Sequence, residues 1–255
     1  MTMDEIITIY PISADIEAFV VNRGDCTDAD SYSQINVCHY VNDDPRHVEV
    51  SRQEVCRRLG ISIESLVVPR QVHSADVAIL IGGASSPSGV DGVVTQLSDV
   101  AIGVSTADCV PVVMADAEAG VIAAAHAGWR GAVGGIISNT LEAMVSRGAL
   151  MSRLEVLIGP CICQECFEVG EEVAVMFPDE VVDRNTFDKP HVDLPGFVRQ
   201  QLMSHGVGAD RIKGPIGCTR CNPQLYFSAR RLGINSGRTF TGIIKRNKTK
   251  GQYTN

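Results

Sequence analysis

The chain has 255 residues, of which 45% are hydrophobic and 20% charged, and its formal net charge is −8. This size buries a core easily, and the composition is typical of a globular enzyme rather than a disordered chain. The acidic balance argues against nucleic-acid partners, no apolar run reaches the ~20 residues that span a bilayer, and the start lacks a basic signal-peptide region, so we expect a cytoplasmic protein without membrane partners.

The first part of the chain predicts short strands and one amphipathic helix. Apolar runs indicate strands at residues 6–10 and 16–22. A helix is predicted over Pro45–Leu59, because an Asn-Asp-Asp-Pro run begins it and Gly60 follows as a C-cap. Two further strands are predicted at residues 65–72 and 76–81.

Residues 110–115 and 121–125 are apolar and predict a β-hairpin, with turn residues at 116–120. A turn centred between Ala117 and Glu118 would place Cys109 directly opposite His126. Opposed residues in antiparallel strands have Cβ atoms roughly 4.5–5.5 Å apart. A thiol and an imidazole at that separation can share a metal or exchange a proton, so the spacing alone predicts a candidate site.

Four glycines follow His126 and break the strand, and apolar spacing then predicts a helix over residues 132–147. A glycine-rich strand-to-helix turn presents backbone N–H groups and the positive end of a helix dipole. Arg130 lies in this turn, so the segment suits an anion such as phosphate. The alternative is a tight turn with a surface arginine.

The remaining elements predict one domain. Strands are expected at residues 154–158, 212–217 and 239–244, with helices at 171–177 and 194–205, and a frayed basic tail from about 245. Tight turns between strands, about four helices and no linker favour a single α+β (mixed α/β) domain over 1–255.

The nine cysteines are an odd number on a chain without a secretory signal, so free thiols or metal ligands are expected rather than disulfides. Five of them form Cys161-x-Cys163-x-x-Cys166 and Cys218-x-x-Cys221. These could hold a structural zinc or an iron–sulfur cluster. Because the first run is irregular, ordinary buried or loop thiols are the favoured interpretation.

The metal chemistry favours one zinc over several coppers. The chain has six histidines and lacks a His-x-His pair, whereas a multicopper cluster needs many imidazoles. A zinc site with three protein ligands is typical of catalysis, since the fourth position stays open to water or substrate. His73 ends a predicted strand and, taken alone, is typical of a surface or core histidine.

Several motifs together resemble the laccase-domain family, also called YfiH-type or polyphenol-oxidase-like. They occur in one order across nearly the whole chain, from about Gly24 to the last strand. The motifs are QVHS at 71–74, DGVVT at 91–95, TADCVPV at 106–112, AHAGWRG at 125–131, IGPC at 158–161, FEVG at 167–170, CT at 218–219 and FSARR at 227–231.

The resemblance implies a four-layer α/β/β/α fold and a zinc ion held by His73, Cys109 and His126, with His73 supplied by the resemblance alone. It implies zinc-dependent phosphorolysis of adenosine, inosine or methylthioadenosine to the base and ribose 1-phosphate, and adenosine deamination in some members. The expected catalytic residues are these three ligands and Arg130, which would position phosphate.

Substrate contacts are expected from Asn36, Arg230 and Arg231. Three alternatives stay open. One is a laccase-like polyphenol oxidase that uses copper. Another is a metal-free cysteine hydrolase or deamidase with Cys109 as nucleophile and His126 as base. The third is a non-catalytic, zinc-stabilised interaction protein.

Overall fold

The computed structural model describes residues 6–26 and 31–247, so the predicted tail lies largely outside the described residues. The strands are β1 (Ile7–Pro11), β2 (Ile16–Val21), β3 (Leu66–Val67), β4 (Val77–Leu80), β5 (Gly92–Thr95), β6 (Ala101–Thr106), β7 (Val110–Asp116), β8 (Val121–Ala127), β9 (Glu155–Ile158), β10 (Val182–Asp183), β11 (His191–Val192), β12 (Ile212–Lys213) and β13 (Thr239–Lys245). The helices are α1 (Pro45–Leu59), α2 (Trp129–Val133), α3 (Ile136–Ser146), α4 (Glu171–Ala174), α5 (Leu194–Ser204) and α6 (Ala229–Leu232).

Two mixed sheets stack face to face between helices. The five-stranded sheet has the order β1-β2-β13-β6-β3, and the six-stranded sheet has the order β12-β9-β7-β8-β5-β4. Val104 and Ile243 of the first sheet pack against Val113 and Ala124 of the second in a shared core. A second core lies between α1 and the first sheet, and a third lies between the six-stranded sheet and α3 and α5. The predicted α/β/β/α layering of one mixed α+β domain is confirmed.

Helix α1 forms over the predicted residues. Asp44 caps its N-terminus by accepting a hydrogen bond from the amide of Arg46, and Gly60 ends it with φ 65° in the left-handed region. Val55 and Leu59 are buried on its inner face against the five-stranded sheet.

Glycine divides the second predicted helix, so the expectation of one helix over 132–147 is wrong. Helix α2 begins at Trp129 and spans five residues, and α3 begins after Gly135, whose φ is 94°. Only a residue that tolerates positive φ fits this junction without strain. The positions of both helices still place Arg130 next to the end of β8.

Two predicted strands are shorter than expected, and four strands were not predicted. Only Leu66–Val67 of residues 65–72 joins a sheet, because the amide of Val68 bonds instead to the hydroxyl of Ser86. Similarly, β12 covers only the first two residues of 212–217. The strands that were not predicted are β5, β6, β10 and β11, of which β6 lies between β13 and β3 in the five-stranded sheet.

The β7–β8 hairpin forms, but its predicted register is wrong by two residues. His126 pairs with Pro111, and the last pair joins Asp116 to Val121. Asp116 stays in the strand because its carboxylate accepts the amides of Glu118 and Ala119, which places the turn at residues 117–120. Among the described residues, the helices are too short or too polar to cross a membrane.

Candidate metal centre

Three side chains from separate segments converge at one end of the six-stranded sheet. His73 lies in the loop between β3 and β4, Cys109 directly precedes β7, and His126 belongs to β8. Their ligand atoms all lie within 4.8 Å of one another. Nε2 of His73 is 3.8 Å from Sγ of Cys109, and the two imidazole rings meet edge to face with centroids 4.7 Å apart. The three residues therefore form a candidate metal-binding group.

Cys109 and His126 converge even though they are not directly paired. A register shift of an even number of residues keeps every side chain on its original face of the sheet. His126 shares the face of Ala124, which packs between the two sheets, and Cys109 shares the face of Val113. The two residues are consequently diagonal neighbours at the open end of the hairpin.

Asp91, a buried residue just before β5, organises this site, and sequence analysis assigned it no role. Its Oδ1 accepts a hydrogen bond from Nδ1 of His126 at 2.7 Å and from the amide of His73 at 3.0 Å. Its Oδ2 accepts the amides of Val72 and Ser74 and the Ser74 hydroxyl. One carboxylate thus holds both the ring of His126 and the loop that carries His73. The backbone of His73 itself is left-handed, with φ 61°.

The Asp91 contact also decides which nitrogen of His126 can bind a metal. A carboxylate acceptor keeps the proton on Nδ1 and leaves Nε2 for a ligand bond, as is common at metal sites. Burial raises the pKa of the Asp91 carboxyl. The hydrogen bonds from His126 and the loop amides outweigh this effect and lower the pKa to about 2. The carboxylate is therefore ionised at neutral pH.

Cys109 and His126 shift each other's pKa in the directions that favour a thiolate and an imidazolium. Burial raises the pKa of the Cys109 thiol, but the charge and hydrogen bond of His126 lower it to about 6. Burial lowers the pKa of His126, whereas Cys109 and Asp91 raise it to about 9. A metal that binds here replaces the His126 proton, so metal uptake releases protons near neutral pH.

Gly128 leaves the space between the three side chains open. A Cβ at this position would lie 2.9 Å from Cδ2 of His73 and 3.1 Å from Sγ of Cys109. Two imidazoles and one thiolate are a donor set that suits zinc, and three protein ligands leave one position for water or substrate. The residues present therefore fit a catalytic zinc ion.

Asp108, which precedes Cys109, ties the site to the C-terminal part of the chain. Its φ is 88°, and its buried carboxylate accepts the hydroxyl of Thr219 at 2.7 Å and the amide of Arg230 at 2.8 Å. The amide of Ile162 donates to its carbonyl oxygen. The backbone that presents Cys109 is therefore held by hydrogen bonds from three later positions in the chain.

The other predicted site residues occupy different surroundings. Arg130 is exposed, with its guanidinium over the ring of Trp129, 4.2 Å from the centroid. Arg230 is exposed and donates to the carbonyl of Glu168, and Arg231 is exposed in α6. Asn36 is buried. Its amide donates to Asp43 and Cys38 and accepts from the amides of Cys38 and Arg238.

Four of the five clustered cysteines come together in a second group. Cys163, Cys166, Cys218 and Cys221 have sulfur atoms within 4.8 Å of one another. Cys161 is buried in the core beside them and does not belong to this group.

The fold and the first group together define a four-layer α/β/β/α protein with a His-Cys-His candidate metal centre. The family described as multi-copper polyphenol oxidoreductase laccase matches residues 17–246. The chain belongs to this family, so the predicted resemblance is confirmed.

The curated relatives carry two kinds of enzyme name. Adenosine deaminase RL5, from an unknown prokaryotic organism, is 43% identical over 247 residues, covering 91% of this chain and 94% of that protein. Purine nucleoside phosphorylase ORF3 of Streptomyces griseus is 38% identical over 215 residues, covering 82% of this chain and 87% of that protein. Among solved structures, YlmD from Geobacillus stearothermophilus is 29% identical with a TM-score of 0.85, covering 93% of this chain and 94% of that one.

Proposed function

We propose that the chain is a zinc-dependent enzyme acting on purine nucleosides at the site formed by His73, Cys109 and His126. The observation that carries this proposal is the convergence of the three ligand atoms within 4.8 Å, beside the space at Gly128. The relatives named adenosine deaminase and purine nucleoside phosphorylase support the purine nucleoside substrate class.

The leading reaction is phosphorolysis of adenosine, inosine or methylthioadenosine. A phosphate oxygen forms a bond to C1′ of the ribose while the N-glycosidic bond breaks, and the base leaves with a proton. A second reaction, deamination of adenosine, adds water to the purine and releases ammonia. Zinc, when bound, supplies Lewis-acid polarisation of a reacting oxygen.

The chain's own residues have separate roles in this proposal. Asp91 orients His126 and the His73 loop, so both imidazoles are held for the metal before substrate arrives. The exposed guanidinium of Arg130, two residues after Gly128, binds phosphate through charge-assisted hydrogen bonds. Arg230 and Arg231 are proposed contacts to base, sugar or phosphate. For Asn36 we propose an indirect role, because its amide already bonds within the protein.

The test incubates purified protein with each nucleoside, with and without phosphate, and separates the products by liquid chromatography. Free base that forms only when phosphate is present indicates phosphorolysis. Inosine that forms from adenosine without phosphate indicates deamination. Arg130→Ala should raise the phosphate concentration needed for half-maximal rate while zinc content stays unchanged. If zinc-loaded protein makes no adenine, hypoxanthine or inosine beyond a chelated control, the proposal fails.

A second candidate is a metal-free cysteine hydrolase. The series of Cys109, His126 and Asp91 supports it, since a base held by a third group can activate a thiol. The two proposals compete for one sulfur atom, because a zinc-bound thiolate is a poor nucleophile. About one zinc at this site, lost in His73→Ala, favours the metal enzyme, whereas metal-free activity abolished by iodoacetamide favours the hydrolase.

Copper-dependent phenol oxidation, which the family description names, is a weaker alternative. Within residues 6–26 and 31–247, the one candidate metal group that contains imidazoles has two of them. A multicopper cluster needs more.

A further inference from the structure

Four thiols outside the proposed active site form a compact cluster between two loops. Cys163 and Cys166 lie after β9, and Cys218 and Cys221 lie between β12 and α6. All four are free cysteines, with sulfur atoms within 4.8 Å of one another. The Sγ atoms of Cys166 and Cys221 are 3.5 Å apart.

Backbone hydrogen bonds hold the two loops side by side. The amide of Cys161 donates to the carbonyl of Gly217 at 3.1 Å, and the amide of Thr219 donates back to Cys161 at 3.0 Å. The second loop closes on itself, since Asn222 donates both its amide and its side chain to the carbonyl of Cys218. The cluster is therefore preorganised by contacts other than those of the sulfur atoms.

The sulfur spacing suits one metal ion. Zinc–sulfur bonds of about 2.3 Å in a tetrahedron place the sulfur atoms about 3.8 Å apart. The observed spacing brackets that value, whereas a disulfide needs sulfur atoms about 2.05 Å apart. A polynuclear iron–sulfur cluster needs more widely separated thiolates. The amide of Cys163 also donates to the sulfur of Cys218 at 3.4 Å, a contact that favours a thiolate there.

We propose that Cys163, Cys166, Cys218 and Cys221 bind a structural zinc ion, separate from the His-Cys-His centre. Two Cys-x-x-Cys pairs supply all four ligands, so the site has no open position for a substrate. Each thiol loses its proton as the ion binds.

This second ion would stabilise the backbone next to the His-Cys-His centre. Thr219 lies between Cys218 and Cys221, and its hydroxyl donates to the Asp108 carboxylate at 2.7 Å. Asp108 in turn precedes Cys109, a ligand of the proposed active site. The structural zinc would therefore brace the backbone that presents Cys109 without touching the substrate.

The test measures zinc per chain by elemental analysis of protein purified under reducing conditions. We expect two zinc ions in the wild type and one in Cys166→Ser, with the melting temperature lowered in that variant. His73→Ala should also retain one ion, held by the four cysteines. Cys26→Ser, which changes a half-buried thiol outside the cluster, is the matched control and should retain two.

These variants separate this inference from the proposed function. If the wild type holds only one zinc per chain, and this ion is kept in His73→Ala but lost in Cys166→Ser, the four-cysteine site is supported and the catalytic zinc is contradicted. Unchanged zinc content in Cys166→Ser, or iron in place of zinc at the four cysteines, would overturn the structural zinc.

A second measurement covers the case in which Cys166→Ser does not fold. Wild-type protein is treated with iodoacetamide before and after a zinc chelator, and the modified cysteines are identified by peptide mass mapping. We expect the four cluster thiols to be protected until zinc is removed. Equal labelling in both samples, or a disulfide within the cluster, would contradict the proposal.

Discussion

Replacing Asp91 with asparagine should weaken metal binding by changing which nitrogen of His126 carries a proton. The asparagine oxygen best replaces Oδ2, which accepts three hydrogen bonds, so the new NH2 group occupies the position of Oδ1. There it faces Nδ1 of His126 and the amide of His73. His126 relieves this conflict by giving up the proton on Nδ1 and keeping the one on Nε2, so Nε2 can no longer bind a metal.

The magnitude follows from the two hydrogen bonds lost at Oδ1. Hydrogen bonds to a charged group contribute about 1.5–3 kcal/mol each, and the new contact to His126 recovers part of the loss, so the metal-free protein should lose about 2–4 kcal/mol of unfolding free energy. Zinc affinity should fall about 10- to 100-fold, as expected when a partner of a ligating histidine is changed.

Urea unfolding of chelated protein measures the stability change, and competition with a chromophoric chelator measures zinc affinity. Asp76→Asn is the matched control, because Asp76 is exposed in the same loop region and should leave both quantities nearly unchanged. If Asp91→Asn binds zinc at the His-Cys-His centre as tightly as wild type, the role assigned to Asp91 is refuted.

Three further predictions concern single residues. Gly128→Ala should lower zinc affinity at unchanged circular dichroism, because its Cβ would lie 2.9 Å from the His73 ring; full affinity would show that the space is not needed. Cys109→Ser should lose the zinc of the His-Cys-His centre while the fold stays intact, since a serine hydroxyl remains protonated, and retained occupancy would exclude Cys109 as a ligand. Burial raises the pKa of Asp116, but hydrogen bonds from backbone amides and Arg153 lower it overall. Its stabilisation is therefore present at neutral pH and lost as the pH falls below the usual aspartate range, so Asp116→Asn should cost about 1–3 kcal/mol at neutral pH and little in acid, measured by urea unfolding.

Local signals predicted the elements that depend on nearby residues. Helix α1 has its cap, its C-terminal glycine and its buried stripe within one continuous segment, and its bounds were predicted correctly. The segment after β8 contains equally strong helical spacing, but the backbone conformation at Gly135 divides it. Apolar periodicity alone does not report that break.

The candidate site shows where sequence reasoning ends. The hairpin brought Cys109 and His126 together despite the wrong register, because an error of two residues preserves the face. His73 was predicted as a ligand only from the family resemblance. Its position near Cys109 and His126 depends on a loop that Asp91, from a distant segment, holds in place. Asp91 belongs to the DGVVT motif, but only the three-dimensional contacts reveal its role.

The four-cysteine group also depends on contacts between segments that are distant in the sequence. Cys163 and Cys166 lie 55 residues before Cys218 and Cys221, respectively. Spacing within each pair is visible in the sequence, but the contact between Cys161 and Gly217 that joins the loops is not. Sequence analysis therefore favoured ordinary thiols where the structure brings four of them together.

The most direct test of the central claim is product formation from adenosine by zinc-loaded wild type and His73→Ala, compared at equal concentration with phosphate present. Our account predicts adenine and ribose 1-phosphate, or inosine, from the wild type. It predicts almost none from His73→Ala, with its zinc content reduced by one ion per chain. Equal product from both proteins would contradict a catalytic metal held by His73, Cys109 and His126.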